Sequence, residues 1–420
     1  MENGTVWRTL FFLAVGVGMS HAACAQEVVG GDTLDAAGTR SQPAYDALGI
    51  RLGSFLLYPT MSTSAAFDSN VFARSVARQS DASVTVVPAL TLRRTAPGQE
   101  LSLDANARLR RYATLISQDD EQYRVDAAGR FQVGDGATIV SGHAAWSSET
   151  ATRGTFENGL QTGDPLKKET VNGEFSVQHR FNRLTARIGA SGQRFVFDDV
   201  RLAGGSVLDQ SYRNGVQFGS SVGLSYQLGP RVSAQVQGSI QKFDYDDPNL
   251  ITSRDATGYS MTAGGSYEVT RLFYFDFGVG FRKHNFKNVL FSDSSGLALQ
   301  SSLRWYPSPL LSVRFDISQA TSTNSSALVA AVEVTSAKLG ADYELKRNLT
   351  FTIGSELSRE DYGRNQGTST FLSFEARLNW KLNRWLRVAP SASFQSRRGS
   401  TSARQTFDAF RAGLGVTLAR

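Results

Sequence analysis

From about residue 49 to the end, one pattern recurs: about ten residues of strictly alternating apolar and polar side chains, then a turn signal. A period of two is what a strand gives when the two faces of its sheet meet different solvents. Leu101, Leu103, Ala105, Ala107 and Leu109 alternate with Ser102, Asp104, Asn106, Arg108 and Arg110. Val232, Ala234, Val236, Gly238 and Ile240 alternate with Ser233, Gln235, Gln237, Ser239 and Gln241, and the same holds from Phe273 to Arg282 and from Leu372 to Lys381. Each apolar face stays uncharged for about five positions, roughly what a tilted strand needs to cross a bilayer core. Beyond the opening thirty residues no window approaches the roughly 20 apolar residues of a spanning helix. A closed barrel is the other fold that leaves no backbone group unpaired in lipid.

The connections fall into two alternating classes. Short ones lie at Thr95 to Gln99, Gly134-Asp135-Gly136, Phe181-Asn182-Arg183, Gly229-Pro230, Thr270-Arg271, Pro307-Ser308-Pro309, Lys346-Arg347-Asn348 and Asn383-Arg384. Longer polar ones lie at 151–168, 198–211, 246–256, 287–294 and 399–404. Short turns on one side and long loops on the other predict an all-β fold: a transmembrane antiparallel up-and-down barrel over 49–420, with about eighteen strands and sixteen as the alternative. The spacing of about 37 to 48 residues between short turns is then two strands, a loop and a turn, with no solenoid required. A soluble propeller or sandwich is the rival, and charged outer faces would mark it. Pro59, Pro88 and Pro390 are the weak points of their strands, since proline removes a ladder donor.

Aromatic residues cluster at both classes of connection. Tyr226, Tyr267, Trp305, Tyr306, Tyr343, Trp380 and Trp385 sit beside short turns, and Trp146, Tyr212, Tyr245, Tyr259, Phe286, Tyr362 and Phe407 beside long loops. Two interfacial girdles are the expected reading.

The amino-terminal 25 residues read as a signal peptide. Arg8 supplies charge, Leu10 to Met19 the apolar stretch, and Ala23-Cys24-Ala25 the small-x-small site before Gln26. A lipoprotein reading would instead keep Cys24 as an acylated first residue, but His21 stands where such a signal has a large aliphatic residue. Residues 26–48, with Gly30, Gly31, Gly38 and Pro43 and no periodicity, read as a flexible periplasmic leader. Cys24 is the single cysteine, so cleavage leaves none for disulfides or metal. The net charge of +6 is mild for 420 residues and implies no nucleic-acid partner.

Candidate chemistry is sparse, and no cofactor is expected. His143 and His284 fall on the lumen face and His179 near a periplasmic turn; none has a nucleophile and an orienting acid at suitable spacing. Gly219-Ser220-Ser221-Val222-Gly223 matches the nucleophile-elbow pattern, but it lies inside an alternating strand where that motif needs a strand-to-helix turn. Asp244, Asp246 and Asp247, and Asp119, Asp120 and Glu121, read as solvated loop charge, with a divalent ion as the alternative.

The functional surface is therefore the lumen. Its expected lining includes Arg108, Arg110, Arg124, Asp126, Arg130, Arg187, Asp276, Arg282, Arg304, Arg314, Asp316, Lys338, Asp342, Glu344, Glu356, Glu375, Arg377, Lys381, Arg387 and Arg411, interspersed with Ser, Thr, Gln, Asn and Gly. Barrels of sixteen to eighteen strands leave an aqueous channel, and charge rings tune what passes.

Gly49-Ile50-Arg51-Leu52-Gly53-Ser54-Phe55-Leu56-Leu57-Tyr58-Pro59 and Phe67-Asp68-Ser69-Asn70-Val71-Phe72 resemble the opening of the putative β-barrel porin 2 family. The likeness is specific over 49–72 and architectural beyond it. It implies an outer-membrane pore, in some members associated with exopolysaccharide export components. One departure is the ending Leu418-Ala419-Arg420, where such barrels usually close on an aromatic residue read by the assembly machinery. The expectation is a non-enzymatic passive conduit, for a secreted polysaccharide or, alternatively, for small hydrophilic solutes. A closed structural or surface-display barrel is a third reading and an outer-membrane hydrolase a fourth. The partners expected are outer-membrane lipid and lipopolysaccharide, and the barrel-assembly machinery.

Overall fold

The computed structural model describes residues 37–155, 158, 163–202, 205–247, 253–322, 331–363, 367–399 and 406–420. The signal-peptide segment 1–25 and leader residues 26–36 lie outside them. Eighteen long strands form one antiparallel sheet. They are β1 (Phe55–Asp68), β2 (Asp81–Ala96), β3 (Gln99–Tyr112), β4 (Asp120–Val133), β5 (Thr138–Thr150) and β6 (Lys167–Phe181). Next come β7 (Leu184–Phe197), β8 (Gly215–Gly229), β9 (Val232–Tyr245), β10 (Ala256–Thr270), β11 (Phe273–Phe286) and β12 (Ser294–Ser308). Last are β13 (Leu311–Ser322), β14 (Val332–Lys346), β15 (Leu349–Asp361), β16 (Thr368–Lys381), β17 (Leu386–Gly399) and β18 (Phe407–Ala419). Each pairs with its neighbours in sequence, and β18 returns to β1 from Thr60↔Ala419 to Asp68↔Arg411, closing the cylinder. The count of eighteen holds, and all eight short turns fall where the sequence placed them.

Alternation decides which way each side chain points. In β8 the residues Phe218, Val222, Leu224 and Tyr226 are exposed on the outer wall, while Gln217, Gly219, Ser221, Gly223 and Ser225 between them are shielded inside. The outward set is greasy throughout, with Ile188, Met261 and Phe281 all more than half exposed. Such a surface is stable only when hydrocarbon covers it. Among the described residues the buried apolar clusters do not lie in the middle of the cylinder. They sit instead at the long-loop end: Ala151, Leu166, Phe197 and Val200 form one, and Val332 with Tyr362 another.

All three proline-bearing strands survive: Pro59 pairs with Leu90, Pro88 with Met61 and Pro390 with Leu414. The periplasmic girdle is present, with Tyr226, Tyr267, Trp305, Tyr343, Trp380 and Trp385 exposed outward. Tyr306 is the exception; it turns inward against Tyr274. The girdle expected at the long loops is thinner. Trp146 and Tyr259 face out, whereas Phe407 and Tyr362 are buried and Tyr245 packs on Phe195. Phe407 packs under Gly154 of a long loop and Tyr362 beside Val332, so proximity to a loop was the wrong criterion there.

The leader also departs from its reading as flexible chain, over 37–48. Ala37 and Asp46 are buried, and Asp46 accepts a 2.7 Å hydrogen bond from Lys381 Nζ of β16. Opposite charges on the segment and on the wall supply the order that the turn-rich sequence does not advertise.

Candidate functional site: the lumen and its lid

Inside the barrel lies a cavity of about 2180 Å³. It extends from Ala96 and Pro97 at a periplasmic turn to Gly258, His284 and Thr321 near the opposite ends of their strands. A pocket of about 120 Å³ continues the polar wall toward the periplasmic ends of β7–β11.

The wall has two sectors of different chemistry. Over β8, β9 and β10 the inward positions in these spaces are Gly219, Ser221, Gly223, Ser225 and Gln227; Ser233, Gln235, Gln237, Ser239 and Gln241; and Gly258, Ser260, Thr262, Ser266 and Glu268. Apart from Glu268 and Arg231 at the lower rim, the described residues of this sector are uncharged. Its hydroxyls and amides both donate and accept, as in the 2.8 Å bond between Ser239 and Ser260.

The remaining sectors carry the charges. Arg130, Arg187, Arg282, Asp316 and Lys338 line the main cavity, and Asp276 the lower pocket. Most expected lumen charges meet an opposite partner. Arg124 grips Asp126 at 2.6 and 2.8 Å, with His143 Nε2 3.4 Å from the same carboxylate. Arg110 lies 3.6 Å from Asp120, Arg314 3.6 Å from Asp316, Lys338 3.6 Å from Glu356, and Arg377 2.9 Å from Glu375. Arg282 lies 3.3 Å from Glu333, and Asp342 accepts from Thr352 at 2.7 Å. Arg108 and Arg411 share the corner of Arg110. Arg304 stands opposite Tyr274 and Arg314, and Arg387 opposite Lys381. Glu344 and Lys381 are engaged by the amino-terminal segment through Arg40 and Asp46.

The loop carboxylates are also engaged by cations. Arg194 holds Asp246, Lys287 lies 3.0 Å from Asp255, and Arg111 pairs with Glu121. Among the described residues no cluster of three metal-ligating side chains occurs. His179 Nδ1 bonds Thr138 Oγ1 at 2.7 Å, and the His284 ring packs 5.9 Å from Phe243.

Sequence reading missed two assemblies at the long-loop end. The first explains the motif at 67–72. Asn70 is buried and its Nδ2 donates to the carbonyls of Arg74 and Asp408 at 2.8 and 2.9 Å, while Asp68 accepts from its backbone N–H. Phe72 then lies between two guanidinium groups, Arg74 at 4.8 Å and Arg153 at 5.1 Å. Arg153 reaches Gln118 Oε1 at 2.7 Å and the carbonyl of Asp164 at 3.1 Å, so the first three long loops interlock. Burial pulls the Arg153 guanidinium down to about 10, still protonated at neutral pH. Arg213 extends the lid by lying 3.7 Å over the Phe197 ring. The second assembly is the bidentate pair of Arg397 and Glu360, at 2.7 and 2.8 Å and nearly inaccessible, joined by the Tyr362 hydroxyl. Only the motif at 67–72 carried a local signal; apart from Tyr362 on Glu360, the other contacts join residues from different strands and loops.

A greasy outer wall around a polar interior defines an outer-membrane β-barrel of porin type. The chain belongs to the putative β-barrel porin 2 family, whose model matches residues 42–420. No curated protein matches it. Among solved structures it is similar to OccK2 (OpdF) of Pseudomonas aeruginosa, at 12% identity and a TM-score of 0.45 over 88% of this chain and 99% of that one. It is also similar to the outer membrane protein OpdK of the same organism, at 12% identity and 0.44 over 87% and 99%. The siderophore receptor PirA, again from Pseudomonas aeruginosa, aligns at 11% identity and 0.42 over 87% and 80%.

Proposed function

We propose that this barrel is a passive, non-enzymatic channel for small hydrophilic solutes. The observation that carries this is the wall of β8–β10, which above Glu268 and Arg231 at its lower rim offers hydroxyls and amides along the cavity. Solutes can exchange hydrogen bonds along such a surface without binding tightly at any one point, as conduction requires. The test is reconstitution of the full mature chain in planar bilayers and in liposomes. Ohmic single-channel currents and size-limited swelling with uncharged sugars are expected. A barrel that inserts yet carries no current and admits no sugar refutes the reading.

A second reading is export of a secreted polysaccharide. The same wall of hydroxyls and amides favours it, because a sugar polymer presents hydroxyls along its whole length, and so does the resemblance at 49–72. Deletion of the gene separates the two: loss of surface polymer with small-solute uptake intact supports export. On either reading the partners are outer-membrane lipid, lipopolysaccharide and the barrel-assembly machinery, with polysaccharide-export components added on the second. Secretion through a signal peptide cleaved near Ala25 belongs to both.

A further inference from the structure

The amino-terminal segment lies on the lumen side of the periplasmic opening, and its contacts are specific. The backbone N–H of Ala37 donates to Ser312 Oγ at 3.2 Å. Arg40 lies 3.4 Å from Glu344 and donates to the carbonyl of Pro309 at 2.6 Å. Asp46 receives Lys381 at 2.7 Å and also accepts from the backbone N–H of Gln42, which folds the segment into a compact turn. Gly38 lies flat on the wall; a Cβ there would stand 2.7 Å from the Asp342 carboxyl carbon. The reversal itself lies at Gly53, φ +62°, because Ile50–Leu52 run antiparallel to Phe55–Leu57 of β1; Gly49, at a φ of +75° with the Tyr58 ring 2.8 Å from where its Cβ would be, then turns the segment away from β1. Ser41, Pro43, Ala47 and Leu48 then form part of the cavity lining.

We infer that residues 37–48 are a strap that sets the periplasmic aperture of the pore. Two ion pairs and the turns at Gly53 and Gly49 hold it across the lumen wall. The inference rests on the channel reading above. The strap narrows the opening sterically and also changes its electrostatics, since it pairs with Glu344, shared with Arg347 at 3.5 Å, and with Lys381, one charge of each sign. Glu344 is almost completely covered, so release of the strap would open its carboxylate to the pore and leave Arg347 as its remaining cation.

The test uses the full chain reconstituted in planar bilayers. Arg40→Gln with Asp46→Asn removes both strap charges and leaves the barrel wall untouched. A rise in single-channel conductance of about twofold, or flicker to such a level, is expected. Ala37→Cys with Ser312→Cys, placed where the backbone N–H meets the serine oxygen, should cross-link with a short bis-methanethiosulfonate reagent. Added to the charge-neutral variant it should restore the low conductance, and reductant should reverse that. Equal conductance in wild type and the charge-neutral variant overturns the inference, as does failure of the cysteines to cross-link. Absence of current from every form overturns the channel reading and the aperture role with it, while the cross-link yield still reports whether the strap is seated.

Discussion

Val222 offers the sharpest test of which face meets lipid. It is the midpoint of β8, Gly215–Gly229, and points outward with 54% of its surface exposed. Seven residues on either side extend about 23 Å along the strand, or about 18 Å along the barrel axis after tilt, which places it near the bilayer midplane. Arginine at that depth costs about 2–4 kcal/mol, a factor of about 30 to 1000 in the folding equilibrium. Ser221 is one residue away at the same depth, but it lines the cavity. Ser221→Arg therefore extends into water and should cost under about 1 kcal/mol. Denaturant titration of each variant into lipid vesicles, followed by tryptophan fluorescence, measures both. If Ser221→Arg costs as much as Val222→Arg, or if Val222→Arg is neutral, the inside–outside argument fails.

Further predictions follow from single contacts. Arg397→Met strands a buried Glu360 and should cost about 3–5 kcal/mol, most of which returns in the double variant with Glu360→Leu; denaturation midpoints read both. Gly280→Ala should block folding, because its Cβ would lie 1.8 Å from the Met261 carbonyl oxygen, whereas Gly354→Ala meets nothing and should fold; heat-shifted gel migration distinguishes them. Hydrogen bonds from Arg194 hold the Asp246 carboxyl below its ordinary value, so its tether to β7 is intact above about pH 4 and is lost as the pH falls through the lowered range. The pair is exposed and worth under about 1 kcal/mol, so only local hydrogen exchange at the rim should report the loss, and Asp246→Asn should abolish its pH dependence.

The strands were legible because each obeys a local rule. Val232 to Gln241 alternates, and the structure pairs that run without a break from Ser220↔Ile240 to Gln227↔Ser233. Turn chemistry was equally local, as at Gly134 and Gly136, both at positive φ. The lid was not legible, because Phe72, Gln118 and Arg153 meet through three separate loops. Nor was the strap, since Arg40 and Glu344 find each other across 304 residues of chain. Tyr245 and Phe407 were misplaced because parity, not nearness to a loop, decides which side of the wall an aromatic ring occupies.

The junction of β1 with β18 joins the two ends of the barrel's chain through nine residue pairs, Thr60↔Ala419 to Asp68↔Arg411. Until it zips, both strands present a row of naked amide and carbonyl groups, which hydrocarbon cannot solvate and which would recruit any other open edge. Losing even the last few residues of β18 would therefore do more than shorten one strand. It would leave a permanent slot in the cylinder, so partial products of this polypeptide should be lost to aggregation or proteolysis instead of surviving as smaller pores.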